Sequence, residues 1–451
     1  MPSSGAIFVV VGILLAGSYY LRLLARRLRG PHPGSLAQRS LSVEELNAVS
    51  YDDIDILACL DKEPTGRKYL VVGGSGFVGS YIVRLLLKRG ERDVQILDRV
   101  APPEDLAAVS FSAVDITSER AVHAAFAGIA PDIVIHTAAL IRFWERWAYT
   151  FSPTRRVNVL GTSFLLAAAA EAGAKVFIYC SSGDVAIPRP SFSRLAYGRI
   201  VIRDADGPLP QHEFSQSCYS RSKLMAEELV IAADRPGGMR TGVLRPGFTI
   251  LGPNDRLITS TLTLPEVPVF DEQFSQTSVH VWDVAAAHVK YADRLVSGTD
   301  DERNQLSAQR FLVTCKGGGW RLYDVRRAIQ HYAQRPIILR PVPPLAIFII
   351  SHLVELLLWI RYRVLSLFTS SPSLVPGWIG QVAFLQPATL EYLTDVEIDD
   401  SRARRVLGYE PQWTMAQSIR YAVDEVCSGQ ATFGQHTGLA MQEGKGHMLE
   451  A

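Results

Sequence analysis

Short apolar runs alternate with longer amphipathic stretches through the middle of the chain. The runs at 69–72, 94–97, 109–114, 133–137, 175–180 and 241–244 read as buried strands. The stretches between them, beginning with 77–87, space their apolar residues as helices do. This alternation predicts an α/β fold, a doubly wound parallel sheet with helices on both faces. Two segments depart from it by being apolar nearly throughout. Residues 5–21 carry no charge and are followed by Arg22, Arg26, Arg27 and Arg29. Arginines after an apolar run, rather than before it, predict an uncleaved transmembrane anchor whose C-terminal side lies in the cytosol. The second segment, 344–368, is interrupted by His352 and Glu355, one helical turn apart. A carboxylate at mid-membrane is costly, so this segment predicts an amphipathic helix pressed into the cytosolic leaflet, with Trp359 and Tyr362 at headgroup depth.

Composition narrows the function classes. The 451 residues hold 46 Lys and Arg against 45 Asp and Glu, so no bulk field attracts nucleic acid. Five scattered cysteines, with no CxxC pair, predict reduced thiols and no metal site.

The glycines at 73, 76 and 79 stand between the first strand and the first helix. A strand, a glycine turn and a helix N-terminus together present free backbone N–H groups to a pyrophosphate. Gly73 allows the tight turn, Gly76 the approach of phosphates, and Gly79 the packing of helix on strand. Ser75, Phe77 and Val78 complete the loop. Asp98 ends the second strand, 19 residues after Gly79, where a carboxylate accepts from ribose hydroxyls and repels a 2′-phosphate. NAD is therefore expected in preference to NADP, although Arg99 partly offsets the repulsion. Asp115, after the third strand, is placed to reach the adenine. Ala138, after the fourth, leaves room for the nicotinamide ribose.

Ser182 ends a later strand, and Tyr219 and Lys223 follow, four residues apart on a predicted helix. That spacing puts both side chains on one face. A free phenol titrates at about 10, so an ammonium one turn away is expected to lower it and make Tyr219 a base. Ser182 would hold the substrate oxygen while hydride leaves the carbinol carbon. Ser182, Tyr219 and Lys223 are thus the catalytic candidates, and Tyr219 and Lys223 also border the cofactor.

On these residues the chain resembles the extended short-chain dehydrogenase/reductases, and within them the 3β-hydroxysteroid dehydrogenase/isomerase family, most of all its sterol-4α-carboxylate 3-dehydrogenase (decarboxylating) branch. The likeness runs from about residue 67 to 426, through the 73–79, 158–162, 245–253, 280–284 and 407–411 motifs. It implies a Rossmann domain at 67–252 and a smaller C-terminal substrate-binding region at 253–427 that contains the membrane-contacting 344–368. The remaining boundaries are an N-terminal anchor with its basic flank at 1–29, a linker at 30–66 with a short helix near 43–46, and a disordered tail at 428–451. The resemblance adds Asn158 and Pro246 to the cofactor site. It also implies a sterol or triterpenoid substrate, a 4-carboxysterol that loses carbon dioxide after oxidation, and an endoplasmic reticulum membrane location with the catalytic domain on the cytosolic side. A homodimer or a sterol-demethylation enzyme complex stays open. The chain departs from that branch at 140–147, where Phe143, Trp144 and Trp147 would line an apolar site and Arg142 or Arg146 would pair a carboxylate. The alternatives are dehydrogenation with isomerisation, a nucleotide-sugar epimerase or dihydroflavonol-type reductase, and a non-catalytic NAD-binding assembly protein.

Overall fold

The computed structural model describes residues 4–28, 41–187, 200–203, 217–333, 335–370, 372–390 and 395–429, without the side chains of residues 4–10 and Arg27. The linker stretch up to residue 40, Arg29 of the basic flank, and the tail from residue 430 lie outside the described residues.

Seven strands form the central sheet: β1 (Tyr69–Val72), β2 (Val94–Asp98), β3 (Ser110–Ala113), β4 (Ile133–His136), β5 (Val176–Cys180), β6 (Arg240–Pro246) and β7 (Gln309–Val313). Their order is β3-β2-β1-β4-β5-β6-β7, every pair parallel. Parallel strands with helices on both faces bury both side-chain sets, which is why β1, β4 and β5 are apolar nearly throughout. Tyr69 and Val71 face one core with helices Phe77–Arg89 and Val281–Ser297. Leu70 and Val72 face the other, with helices Glu119–Ile129, Thr162–Glu171 and Cys218–Ala232. The order reverses between β1 and β4, and this switch point opens the crevice where doubly wound sheets bind ligands.

The division at residue 252 does not follow the layers. The helix Val281–Ser297 and strand β7 return from the C-terminal part to complete the sheet. Conversely, Ile200–Arg203 leaves it to pair with Val396–Asp399. β7 was missed because its polar start, Gln309-Arg310, hides a short apolar run.

The helix Ser4–Leu28 exposes Ile13, Leu14, Leu15 and Tyr19 and packs against the start of helix Pro344–Leu365. Among the described residues, Pro344–Leu365 is the helix long and apolar enough to cross a membrane. It buries Ile347, Ser351, Val354, Glu355 and Leu358 on the domain and exposes Ile350, Leu353, Leu357 and Trp359.

Candidate active site

The glycine loop is built around backbone contacts that no side chain would permit. Gly73 has φ +85°, and a Cβ there would meet the Ala138 nitrogen at 2.5 Å. A Cβ on Gly79 would overlap the Gly73 carbonyl. Helix Phe77–Arg89 starts at Gly76 with no side-chain cap and no acidic residue in its first turn. Its first N–H groups, Phe77 and Val78 among them, therefore lack intrahelical acceptors and keep the positive end of the helix dipole. The Ser75 hydroxyl is buried without a hydrogen-bond partner. A cradle of bare donors with a spare hydroxyl fits a diphosphate.

Asp98 closes the cradle from the tip of β2. It accepts from the N–H groups of Ser75 (3.2 Å) and Arg99 (2.7 Å). The Arg99 guanidinium turns toward Asp115, 3.6 Å away, so Asp115 pairs with the residue that complicated the cofactor reading. Beyond β4, Ala138 N–H donates to the Val72 carbonyl, holding the turn against the glycine loop. Asn158 is buried, and its carboxamide is already engaged. Oδ1 accepts from Leu140 N–H at 2.7 Å, while Nδ2 donates to the Leu140 carbonyl and to Ser222 Oγ. Asn158 ties the loop after β4 to the helix carrying Tyr219. Pro246 ends β6, and its carbonyl lies against Gly183 beside Ser182.

Helix Cys218–Ala232 brings Tyr219 and Lys223 to one buried face. The Ser182 hydroxyl lies near enough to the Tyr219 phenol to favour its ionised form, and it accepts from Asp184 N–H at 3.3 Å. Lys223 Nζ donates to the Cys180 carbonyl at 2.8 Å and lies 5.9 Å from the Tyr219 ring centre. The electrostatics differ from the sequence expectation. Burial pushes the Tyr219 phenol above its ordinary value, Asp184 and Cys180 add to this, and the Ser182 contact opposes it. Burial also brings the Lys223 amine down to about 8. A side-chain spacing reports which face two groups share but not how dry that face is, and here desolvation dominates.

One turn after Lys223, buried Glu227 accepts two hydrogen bonds from Arg245 (2.9 and 2.6 Å) and one from Arg310 (3.0 Å). Desolvation is the largest single effect on this carboxyl, but Arg245, Ser181 and Arg310 together outweigh it and hold the group below its ordinary range.

The two arginines expected to meet a substrate carboxylate are both occupied. Arg142 pairs with buried Glu145 at 3.0 Å. Arg146 forms a two-point pair with Glu355 of helix Pro344–Leu365, at 2.8 and 2.7 Å. Trp147 is largely exposed, whereas Phe143 and Trp144 join Phe384 in one aromatic wall. Phe384, Glu355 as an ion-pair partner and the Asn158–Ser222 tie were missed, because each contact joins residues too far apart in sequence to leave a local signal.

A seven-stranded parallel sheet, a glycine cradle and a Ser–Tyr–Lys set at its edge define an extended short-chain dehydrogenase/reductase. The chain belongs to the 3-beta hydroxysteroid dehydrogenase/isomerase family, whose model matches residues 70–316. It is 25% identical over 376 residues to the sterol-4-alpha-carboxylate 3-dehydrogenase, decarboxylating, of Candida albicans, covering 79% of this chain and 97% of that one. It is 32% identical over 240 residues to a 3 beta-hydroxysteroid dehydrogenase/Delta 5→4-isomerase of Mycobacterium tuberculosis, covering 49% of this chain and 60% of the other. Among solved structures it resembles a Thermus thermophilus UDP-glucose 4-epimerase in complex with NAD, with TM-score 0.55 and 21% identity over 80% of this chain and 99% of that one. At that identity the likeness concerns the fold.

Proposed function

We propose that this protein is an NAD-dependent 3β-hydroxysteroid dehydrogenase acting on a sterol or triterpenoid that carries a carboxylate beside the oxidised hydroxyl. The observation that carries the reading is the buried face shared by Tyr219 and Lys223, with Lys223 Nζ 5.9 Å from the Tyr219 ring centre, beside Ser182 at the sheet edge that also holds the glycine cradle. NAD, when bound, accepts the hydride. Ser75, Gly76, Phe77 and Val78 would hold its diphosphate and Asp98 its ribose. Ser182 orients the substrate hydroxyl, and Tyr219 takes its proton as the carbinol becomes a ketone. The Lys223 ammonium favours the phenolate form of Tyr219. A ketone β to a carboxylate then loses carbon dioxide through an enol, so the protein need supply little beyond the oxidation.

The exposed apolar faces of helices Ser4–Leu28 and Pro344–Leu365 support docking on a bilayer from which such a substrate would enter. Glu355 does not oppose this, because it faces Arg146 rather than lipid. The proposed location is the cytosolic leaflet of the endoplasmic reticulum.

The test uses the full chain in detergent with NAD and a 4-carboxysterol labelled at the carboxyl. NADH and labelled carbon dioxide should appear together. NADH alone would leave dehydrogenation, with or without isomerisation, as the function. Neither product would remove the oxidoreductase reading.

A further inference from the structure

We propose that Arg256 is the cation that receives the substrate carboxylate, and that Phe143 and Phe384 hold it in place. This inference rests on the function proposed above. Four guanidiniums near the loop after β4 and the catalytic helix are spent: Arg142 on Glu145, Arg146 on Glu355, and Arg245 and Arg310 on Glu227. Among the described residues, Arg256 side-chain nitrogens donate no hydrogen bond and meet no carboxylate within ion-pair distance. Its neighbour Asp255 accepts from Ile258 N–H at 3.0 Å, capping the helix Arg256–Thr263.

What holds Arg256 is aromatic. Its guanidinium carbon lies 4.6 Å from the Phe384 ring centre and 5.9 Å from that of Phe143. Trp144 meets Phe384 edge-on at 4.3 Å, so the three rings form one wall. A guanidinium held against aromatic rings, with no hydrogen bond of its own, keeps its N–H donors free to grip a carboxylate at two points. Phe143, the partly exposed ring of the wall, offers apolar surface to the fused hydrocarbon rings of the same molecule, with buried Trp144 and Phe384 behind it.

The wall is fixed to the catalytic helix. The Glu145 carbonyl accepts from Cys218 N–H at 2.6 Å, and Cys218 directly precedes Tyr219. Four residues before Arg256, Gly252 packs against the Phe77 ring at the head of the glycine-loop helix. Arg256 thus sits on a segment that runs from the cofactor loop to the aromatic wall. Phe384 approaches from the C-terminal region that also carries helix Pro344–Leu365, the side from which a lipid-dissolved substrate would arrive.

The test compares two sterols, one with a 4-carboxyl group and one with a 4-methyl group in its place, by NADH formation with wild type, Arg256→Gln, Arg256→Lys and Phe384→Leu. Loss of a charged partner should lower the carboxyl-over-methyl ratio of kcat/KM about 10- to 100-fold in Arg256→Gln, mainly through KM. Arg256→Lys should recover part of the ratio, and Phe384→Leu should lower it about threefold or more. An unchanged ratio in Arg256→Gln overturns the assignment while leaving the dehydrogenase intact. If Arg256→Gln does not fold, an unchanged ratio in Phe384→Leu and Arg256→Lys overturns it equally. NADH from neither sterol in wild type removes the function reading, and this inference falls with it.

Discussion

Arg146, on the loop that leaves β4, grips Glu355 of helix Pro344–Leu365 through two hydrogen bonds. The pair is largely buried, with Glu355 at 7% side-chain exposure and Arg146 at 21%. It fastens an otherwise apolar helix to the loop that borders Tyr219. Removing one partner leaves the other charge in a poorly solvated place, which costs about 3–5 kcal/mol for fully buried pairs. Glu355→Ala should therefore lower the thermal midpoint by several degrees, whereas Glu355→Ala combined with Arg146→Leu should regain part of the loss. Differential scanning calorimetry of the full chain in detergent decides this. A single variant as stable as wild type would show that the pair holds nothing.

The place of Tyr219 beside Lys223 and Ser182 predicts a loss of chemistry without a loss of cofactor. Tyr219→Phe removes the proton acceptor while keeping the ring, so turnover should fall about 10²- to 10⁴-fold. The dissociation constant for NAD, read from cofactor fluorescence, should stay within a few-fold, since the glycine cradle lies on other elements. Wild-type turnover in Tyr219→Phe would assign the base to another group.

The part of this arrangement that could be read from the sequence is the part set by local spacing. Glycines at 73, 76 and 79 each do what a turn, a helix start and a close packing demand, and those demands act within seven residues. Tyr219 and Lys223 share a face because 3.6 residues make a turn. Arg142 and Arg146 show where such reading ends. Both looked available for a carboxylate, yet Glu355 comes from 209 residues away and Glu145 is turned inward to meet Arg142. The burial that reverses the expected shift of Tyr219 is likewise a property of the assembled layers, and β7 escaped notice because half of it is polar.

The glycine loop makes a sharp steric prediction. Gly79→Ala would place a methyl group on the Gly73 carbonyl, in backbone that cannot move without opening the turn. NAD affinity should fall by at least about tenfold, because the helix N-terminus would be displaced from the diphosphate. Asp98→Ser tests the other end of the same ligand. Without the carboxylate, and with Arg99 beside it, the preference for NAD over NADP should narrow or invert in steady-state kinetics with both cofactors.

The pH dependence of oxidation follows from the burial of Tyr219 and Lys223. Burial raises the phenol and brings the lysine down to about 8. Since Tyr219 must give up its proton to accept the substrate's, and burial raises that phenol, kcat/KM for oxidation should rise with pH to an inflection on the alkaline side. In Lys223→Met no ammonium opposes the desolvation of the phenol, and the inflection should move up by a unit or more. Stability gives a second reading with a defined sign. The folded lysine binds its proton more weakly than the unfolded one, whose pKa is about 10.4. Between pH 8 and 10 the unfolded chain thus holds more protons, and wild type should gain stability relative to Lys223→Met as pH rises through that window. Urea midpoints at pH 7 and pH 9.5 measure the difference. A gap between the two proteins that stays constant would mean Lys223 is not held in the dry site, and the shifted rate profile would then need another source.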